Sequence, residues 1–185
     1  SVIPVRDALG QVILAQDEAS LSLQATLMRV WHPCGQTPVI PVSPQRTSTH
    51  FYAALNLQTG SEIVMRSAVM NAQATILFLL MLLAAYPTQP ILLLWDRATW
   101  HRSKLITAFL QQHPRIEILW FPPASPDLNP QEHVWKATRE AISHNHLMPK
   151  LDHLADAFEA HLATTRFPCS LLDLHHYSYL CMMFK

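Results

Sequence analysis

Three acidic residues stand where a chain can put them to chemical use. Asp17 follows the apolar run "QVILAQ" (11–16), Asp96 follows "ILLLW" (91–95), and Glu132 lies within "WFPPASPDLNPQEHVW" (120–135). An acid at the carboxyl end of a buried strand emerges from a rigid element into a crevice, which is where α/β sheets place ligand chemistry. Three carboxylates from two strands and a helix suit a hard divalent cation such as Mg²⁺, which prefers oxygen ligands and keeps waters for its substrate. Two such ions roughly 3.5–4 Å apart can activate an attacking oxygen and stabilise a leaving one at a phosphodiester.

Each acid also has a plainer reading. Asn129, Pro130, Gln131 and Glu132 run in the order of a capping box, in which the third helical residue bonds back to the N-cap amide. Lys136, four residues on, is placed to form an ordinary helix-face ion pair with Glu132. Glu18 neighbours Asp17 but points to the opposite face of a strand, and Asp127 sits in a proline-flanked loop with no rigid element beneath it. His101 and His133 lie close to the acids without zinc-ligand spacing and read as hydrogen-bonding or packing residues. "HNH" (144–146) is a three-letter coincidence at a helix end, and Trp100, Trp120 and Trp135 read as core or loop anchors.

The elements that must hold these acids follow from the hydrophobic pattern. "QVILAQ" is a short strand; "THFYAALNL" (49–57) and "EIVMRS" (62–67) form a hairpin about Gly60, so the first three strands are expected to be antiparallel neighbours. Asn71 caps an apolar helix running to about Tyr86, expected as a buried core helix. The continuous run "ILLLW" predicts a strand covered on both faces. A helix over 103–112, a strand over 116–121, a helix from Pro130 and a last helix over 150–163 complete the order. Three strands followed by helix–strand alternation is the order of an α/β sheet with an antiparallel meander on one side and crossovers on the other.

Composition narrows the function. The 185 residues, half of them hydrophobic, suffice for one sizeable core, so a single domain over 1–185 is expected. Net charge is zero and the 13 basic residues form no tail, so composition by itself carries no electrostatic footprint of a nucleic-acid binder. Cys34, Cys169 and Cys181 lack disulfide or zinc spacing, which fits a reducing, cytoplasmic compartment. "ATILFLLMLLAAY" (74–86) is too short to cross a bilayer, which takes about 20 residues. Strand-like sequence begins close to Ser1, so the chain is expected to be a portion of a longer protein or one half of a split one.

The specific signal is the proline-rich run. "DEAS", "LLLWDRATWHRS" and "WFPPASPDLNPQEHVW" together resemble the catalytic core of the IS630 group, within the Tc1/mariner superfamily of DDE transposases, over about residues 11–146. The 35 residues between Asp96 and Glu132 are close to that group's spacing. The resemblance implies an α/β, ribonuclease-H-like fold with a mixed five-stranded sheet flanked by helices. It also implies Asp17, Asp96 and Glu132 as catalytic and metal-binding acids, with Mg²⁺ or Mn²⁺, as two ions, for cofactor. The implied reaction is cleavage at a transposon end and strand transfer into target DNA, commonly at TA, by a homodimer at the bacterial nucleoid.

In that setting Arg97, Arg102, Lys104 and Lys136 are the candidate DNA contacts, since cations beside the acids hold phosphates without reading sequence. The same residues also read as a solvated helix start and helix face. The group normally carries an N-terminal helix-turn-helix region, so the chain is expected to be either a catalytic half with a separate DNA-binding segment as partner or a decayed copy. Two other readings stay open: a transposase-derived interaction module that cuts nothing, and a ribonuclease-H-like hydrolase acting on RNA.

Overall fold

The computed structural model describes residues 10–23, 34–35, 47–123, 128–143 and 150–168. Asp127, "HNH", Cys169 and Cys181 lie outside the described residues, as does most of the long connection over 30–45. Strands β1 (Val12–Ser22), β2 (Ser48–Asn56), β3 (Glu62–Ser67), β4 (Ile91–Trp95) and β5 (Ile116–Trp120) form one sheet in the order β3-β2-β1-β4-β5. The first three are antiparallel neighbours, and β4 and β5 are added parallel to β1 on its other side. Helices α1 (Ala72–Ala85), α2 (Lys104–Gln112), α3 (Pro130–Ile142) and α4 (Leu151–Thr164) flank it. This is the mixed five-stranded, ribonuclease-H-like arrangement that the resemblance implied.

β1 outruns its expected end. Alternation continues past Asp17, with Ala19 and Leu21 buried and Ser20 and Ser22 exposed, so the strand runs to Ser22. β2 holds it there, pairing from Leu14↔Asn56 to Ser22↔Ser48, whereas β4 pairs only along Val12–Ala15. Asp17 therefore lies inside a strand rather than at its end. The last β1–β4 pair is Ala15↔Leu94, and the same register continued two places sets Asp17 against Asp96.

The alternation of β1 and β2 divides the core into two layers. Ile13, Ala15, Phe51, Ala53 and Leu55 face α3 and α4, meeting Trp135 and Phe158. Val12, Leu14, Tyr52 and Ala54 face α1 and α2, meeting Phe78, Leu82, Ile106 and Phe109. Each fully buried aromatic or aliphatic side chain contributes about 1.5–3 kcal/mol relative to exposure. β4, buried at all five positions, serves both layers, as its unbroken apolar run predicts.

The helix starts follow local chemistry. Asn71 Oδ1 accepts from Ala74 N at 2.9 Å, and Ser103 Oγ accepts from Ile106 N at 3.4 Å, each satisfying an orphan first-turn donor. Helix α1 departs from the core-helix expectation on one side: Phe78, Leu79 and Leu82 are buried, but Leu77, Leu80 and Met81 are exposed. At the β2–β3 turn, Gly60 has φ +70°, and its carbonyl accepts from Phe167 N at 2.7 Å. A Cβ there would lie 2.9 Å from the Phe167 carbonyl carbon. Among the described residues no helix is long and apolar enough to cross a membrane.

Candidate active site

The three acids reach one cleft of about 530 Å³ from three elements: the interior of β1, the residue after β4, and the first turn of α3. Asp17, Asp96 and Glu132 line it together with Arg97, Arg102, Phe121, Pro122, Pro123 and Asn129. Asp17 is 8% exposed and its Oδ2 accepts a hydrogen bond from Trp135 Nε1 at 3.2 Å. Trp135 comes from α3, one turn beyond Glu132, so the helix that supplies the third acid also orients the first.

Asp96 is held from the opposite side of the sheet. Its Oδ1 accepts from Ala98 N at 3.1 Å and lies 2.7 Å from His101 Nδ1. The other ring nitrogen, Nε2, is 3.0 Å from Glu18 Oε1. Carboxylates can only accept, so satisfying both contacts requires both ring nitrogens to donate, and the bridging species is the imidazolium. Burial opposes that charge, but the hydrogen bonds and charges of Asp96 and Glu18 outweigh it and raise His101 to about 9. The ring also stacks on Trp95, with centroids 4.0 Å apart.

The two aspartates are tuned apart. Burial, then the charges of Glu132 and Glu18, push Asp17 up to about 8, so it carries a proton near neutral pH. For Asp96, burial is outweighed by the hydrogen bonds from His101 and Ala98 and by the imidazolium, which together hold it below the usual carboxylate value. One protonated and one ionised acid side by side is what like charges around a shared site produce.

Glu132 is exposed, and neither bond of its plainer readings forms. Asn129 caps α3 by accepting from Gln131 N at 3.1 Å; among the described residues the Glu132 carboxylate makes no capping bond and no ion pair with Lys136. Among the described residues, no group of three or more His, Cys, Asp or Glu side chains is already gathered into a set that could hold a metal ion. The three acids share the cleft without closing on one another.

Of the candidate DNA contacts, Arg97 and Arg102 line the cleft. Arg97 Nε is anchored to Phe121 O at 3.1 Å, which fixes its position at the rim. Lys104 opens α2 and Lys136 lies on α3; both are exposed and neither lines the cleft. The sequence reading passed over two contributors. Glu18 does face away from Asp17, as expected, yet it reaches Asp96 through His101; Trp135 is a core residue, as expected, yet its indole N–H serves Asp17. The available signal was the pair "DE" on a strand together with a histidine five residues after Asp96.

Residues 12–155 match the family described as DDE superfamily endonuclease. Over 138 residues the chain is 24% identical to an insertion element IS630 uncharacterized 39 kDa protein of Shigella sonnei, covering 72% of this chain and 39% of that protein. Among solved structures, the Mos1 transposase paired-end complex with the left transposon end superposes with a TM-score of 0.68 at 16% identity, covering 93% of this chain and 53% of that one. Mos1 paired-end complexes with Mn and with Mg give TM-scores of 0.66 and 0.64 at 16% and 17% identity, covering 93% and 94% of this chain and 53% of those chains. The chain thus spans well under two thirds of these relatives, and its likeness to the solved structures is one of fold.

Proposed function

The chain belongs to the DDE superfamily endonuclease family, and on that premise we propose that it is the catalytic part of a transposase, cutting DNA and transferring the cut strand with Asp17, Asp96 and Glu132 as its acids. One observation carries the reading: acids from three separate elements line a single cleft, and the third of them has been left out of the capping bond that would otherwise explain it. A structural glutamate at that position would be spent on its own helix.

The donor chemistry fits a hard divalent ion. All three donors are carboxylates, and burial, then the charges of Glu132 and Glu18, keeps the proton on Asp17 near neutral pH, where a cation would release it. Asp17 and Asp96 would hold the metals jointly and Glu132 would complete one of two sites, with Mg²⁺ or Mn²⁺ as the ions named for the Mos1 complexes. When bound, such ions supply Lewis acidity at the scissile phosphate and a lowered pKa for the attacking oxygen.

The chain's own residues do the rest. Asp17 would have to give up its proton to act as a ligand, so metal affinity would rise with pH. His101 keeps Asp96 ionised and fixed in direction, and Trp135 fixes Asp17. Arg97 and Arg102 at the cleft, with Lys104 and Lys136 further out, neutralise DNA phosphates and position the duplex. Water opens the phosphodiester at the element's end, and the freed 3′-hydroxyl then attacks target DNA, at TA. End recognition is left to a helix-turn-helix segment, and two copies bring two ends together at the nucleoid.

The test is metal-dependent nicking of supercoiled plasmid by the purified chain, beside Asp96→Asn and Glu132→Gln. Nicking that requires Mg²⁺ or Mn²⁺ and falls at least 100-fold in both variants is expected, since each would lose a metal ligand. Nicking that persists in either folded variant refutes the assignment. A folded wild-type chain that stays inactive even when joined to a helix-turn-helix segment would favour the interaction-module reading.

A further inference from the structure

Away from the cleft, the α3/α4 face of β3 buries a carboxyl that the chemistry above does not use. Glu62, Val64 and Arg66 share that face by strand alternation; Val64 packs on the core, and Arg66 is paired with Asp152 and Asp156 of α4. Glu62 reaches the start of α3, where its Oε2 accepts from Gln131 Nε2 at 3.2 Å. Gln131 is fully buried, and it sits between Pro130 and Glu132 in the first turn. Two buried oxygens of this pair, Glu62 Oε1 and Gln131 Oε1, have no partner.

A single proton could serve both orphans. A carboxylate offers acceptors only, so an ionised Glu62 would bring no donor to either buried oxygen, and both would keep the penalty of an unmade bond. A carboxyl that keeps its proton donates it to the amide oxygen while accepting from the amide N–H, and both orphans are satisfied at once. We propose that Glu62, carrying its proton, forms a two-bonded acid–amide pair with Gln131 that seats the first turn of α3 on β3 and so sets the position of Glu132. Glu62 is a positioning residue, and its link to catalysis rests on the reading of Glu132 given above. Burial independently favours the neutral form, raising Glu62 to about 8, against which the hydrogen bond from Gln131 acts.

The deciding measurement needs no catalysis. In metal-free chain, the ¹³C shift of the Glu62 carboxyl, assigned with Glu62→Gln, is followed from pH 3 to 10. A midpoint far above those of exposed glutamates is expected; a midpoint in the ordinary range of about 4.3 overturns the proposal. Glu62→Gln replaces the O–H by an N–H and keeps two bonds, whereas Glu62→Met fills the volume and keeps none. Glu62→Gln should therefore leave amide exchange at Val134 and Trp135 unchanged, and Glu62→Met should speed it at least tenfold. Equal exchange in both variants also overturns the proposal. In the nicking assay Glu62→Gln should stay within about threefold of wild type while Glu62→Met loses kcat with DNA affinity unchanged. If the wild-type chain does not nick even when joined to a helix-turn-helix segment, the functional reading fails on that arm alone, and the carboxyl titration and the exchange rates still decide the pair.

Discussion

Replacing His101 by alanine removes a buried cation from between two carboxylates. The His101 side chain is 0% exposed and that of Glu18 is 3% exposed, so Glu18 would be left as an uncompensated buried charge. Deleting one partner of such a buried pair costs about 3–5 kcal/mol. The titration of His101 gives a second route to the magnitude. A pKa raised from 6.5 to about 9 is a few-hundredfold preference of the fold for the charged ring, or about 3 kcal/mol. For a chain of this size that loss should lower Tm by roughly 6–20 °C.

The assay is urea unfolding of the metal-free chain at pH 7, with His101→Ala, His101→Phe and Glu18→Gln alone and combined. His101→Phe keeps a ring against Trp95 and so separates stacking from charge. Glu18→Gln should recover part of the His101→Ala loss, because it removes the stranded charge. The pH dependence has a fixed sign: a raised histidine contributes fully below 6.5 and loses its contribution as pH rises through about 9. The penalty of His101→Ala should therefore shrink between pH 7 and 10. A penalty under about 1 kcal/mol at pH 7, or one that is the same at both pH values, would refute the imidazolium bridge.

Two further outcomes follow from the same structure. Asp17 is raised from 3.8 to about 8, so the stability it confers is present below 3.8 and lost as pH rises through about 8. Asp17→Asn should then make the metal-free chain more stable at pH 8, on the order of 2–4 kcal/mol, while abolishing the rise in Tm that Mg²⁺ gives wild type. Lower stability of Asp17→Asn at pH 8 in calorimetry would contradict this. Gly60→Ala should cost at least ~2 kcal/mol in a denaturant melt, from the positive φ and from a Cβ driven against the Phe167 backbone; a change below ~0.5 kcal/mol would mean the contact is easily given up.

What the sequence disclosed divides along physical lines. Acids, caps and the alternation of elements are written locally, so Asp96 after β4, the Asn71 and Asn129 caps and the strand order were all legible before the structure. The true length of β1 was not, because "DEASLS" is polar enough to pass for a loop until β2, which begins 26 residues after its end, pairs with it. The capping box failed for a similar reason. Asn129 caps α3 through Gln131 N, and a buried contact to Glu62, 69 residues away, holds Gln131 itself. Register decides which side chains meet across a sheet, and register is invisible in a single strand: His101 joins Glu18 to Asp96 across 83 residues, and Trp135 reaches Asp17 across 118.

Those separations also bear on the history of each newly made molecule. The β1–β2–β3 meander closes through neighbours in the chain and can form while synthesis continues, but it holds only one acid of the three. The cleft is complete only once α3 has docked and brought Glu132 and Trp135 to a strand laid down more than a hundred residues earlier. A polypeptide released early, or clipped ahead of α3, retains part of the sheet and none of the assembled chemistry. The distance along the chain between Asp17 and Glu132 thus makes the cleft one of the last features to be assembled, complete only when the fold is finished.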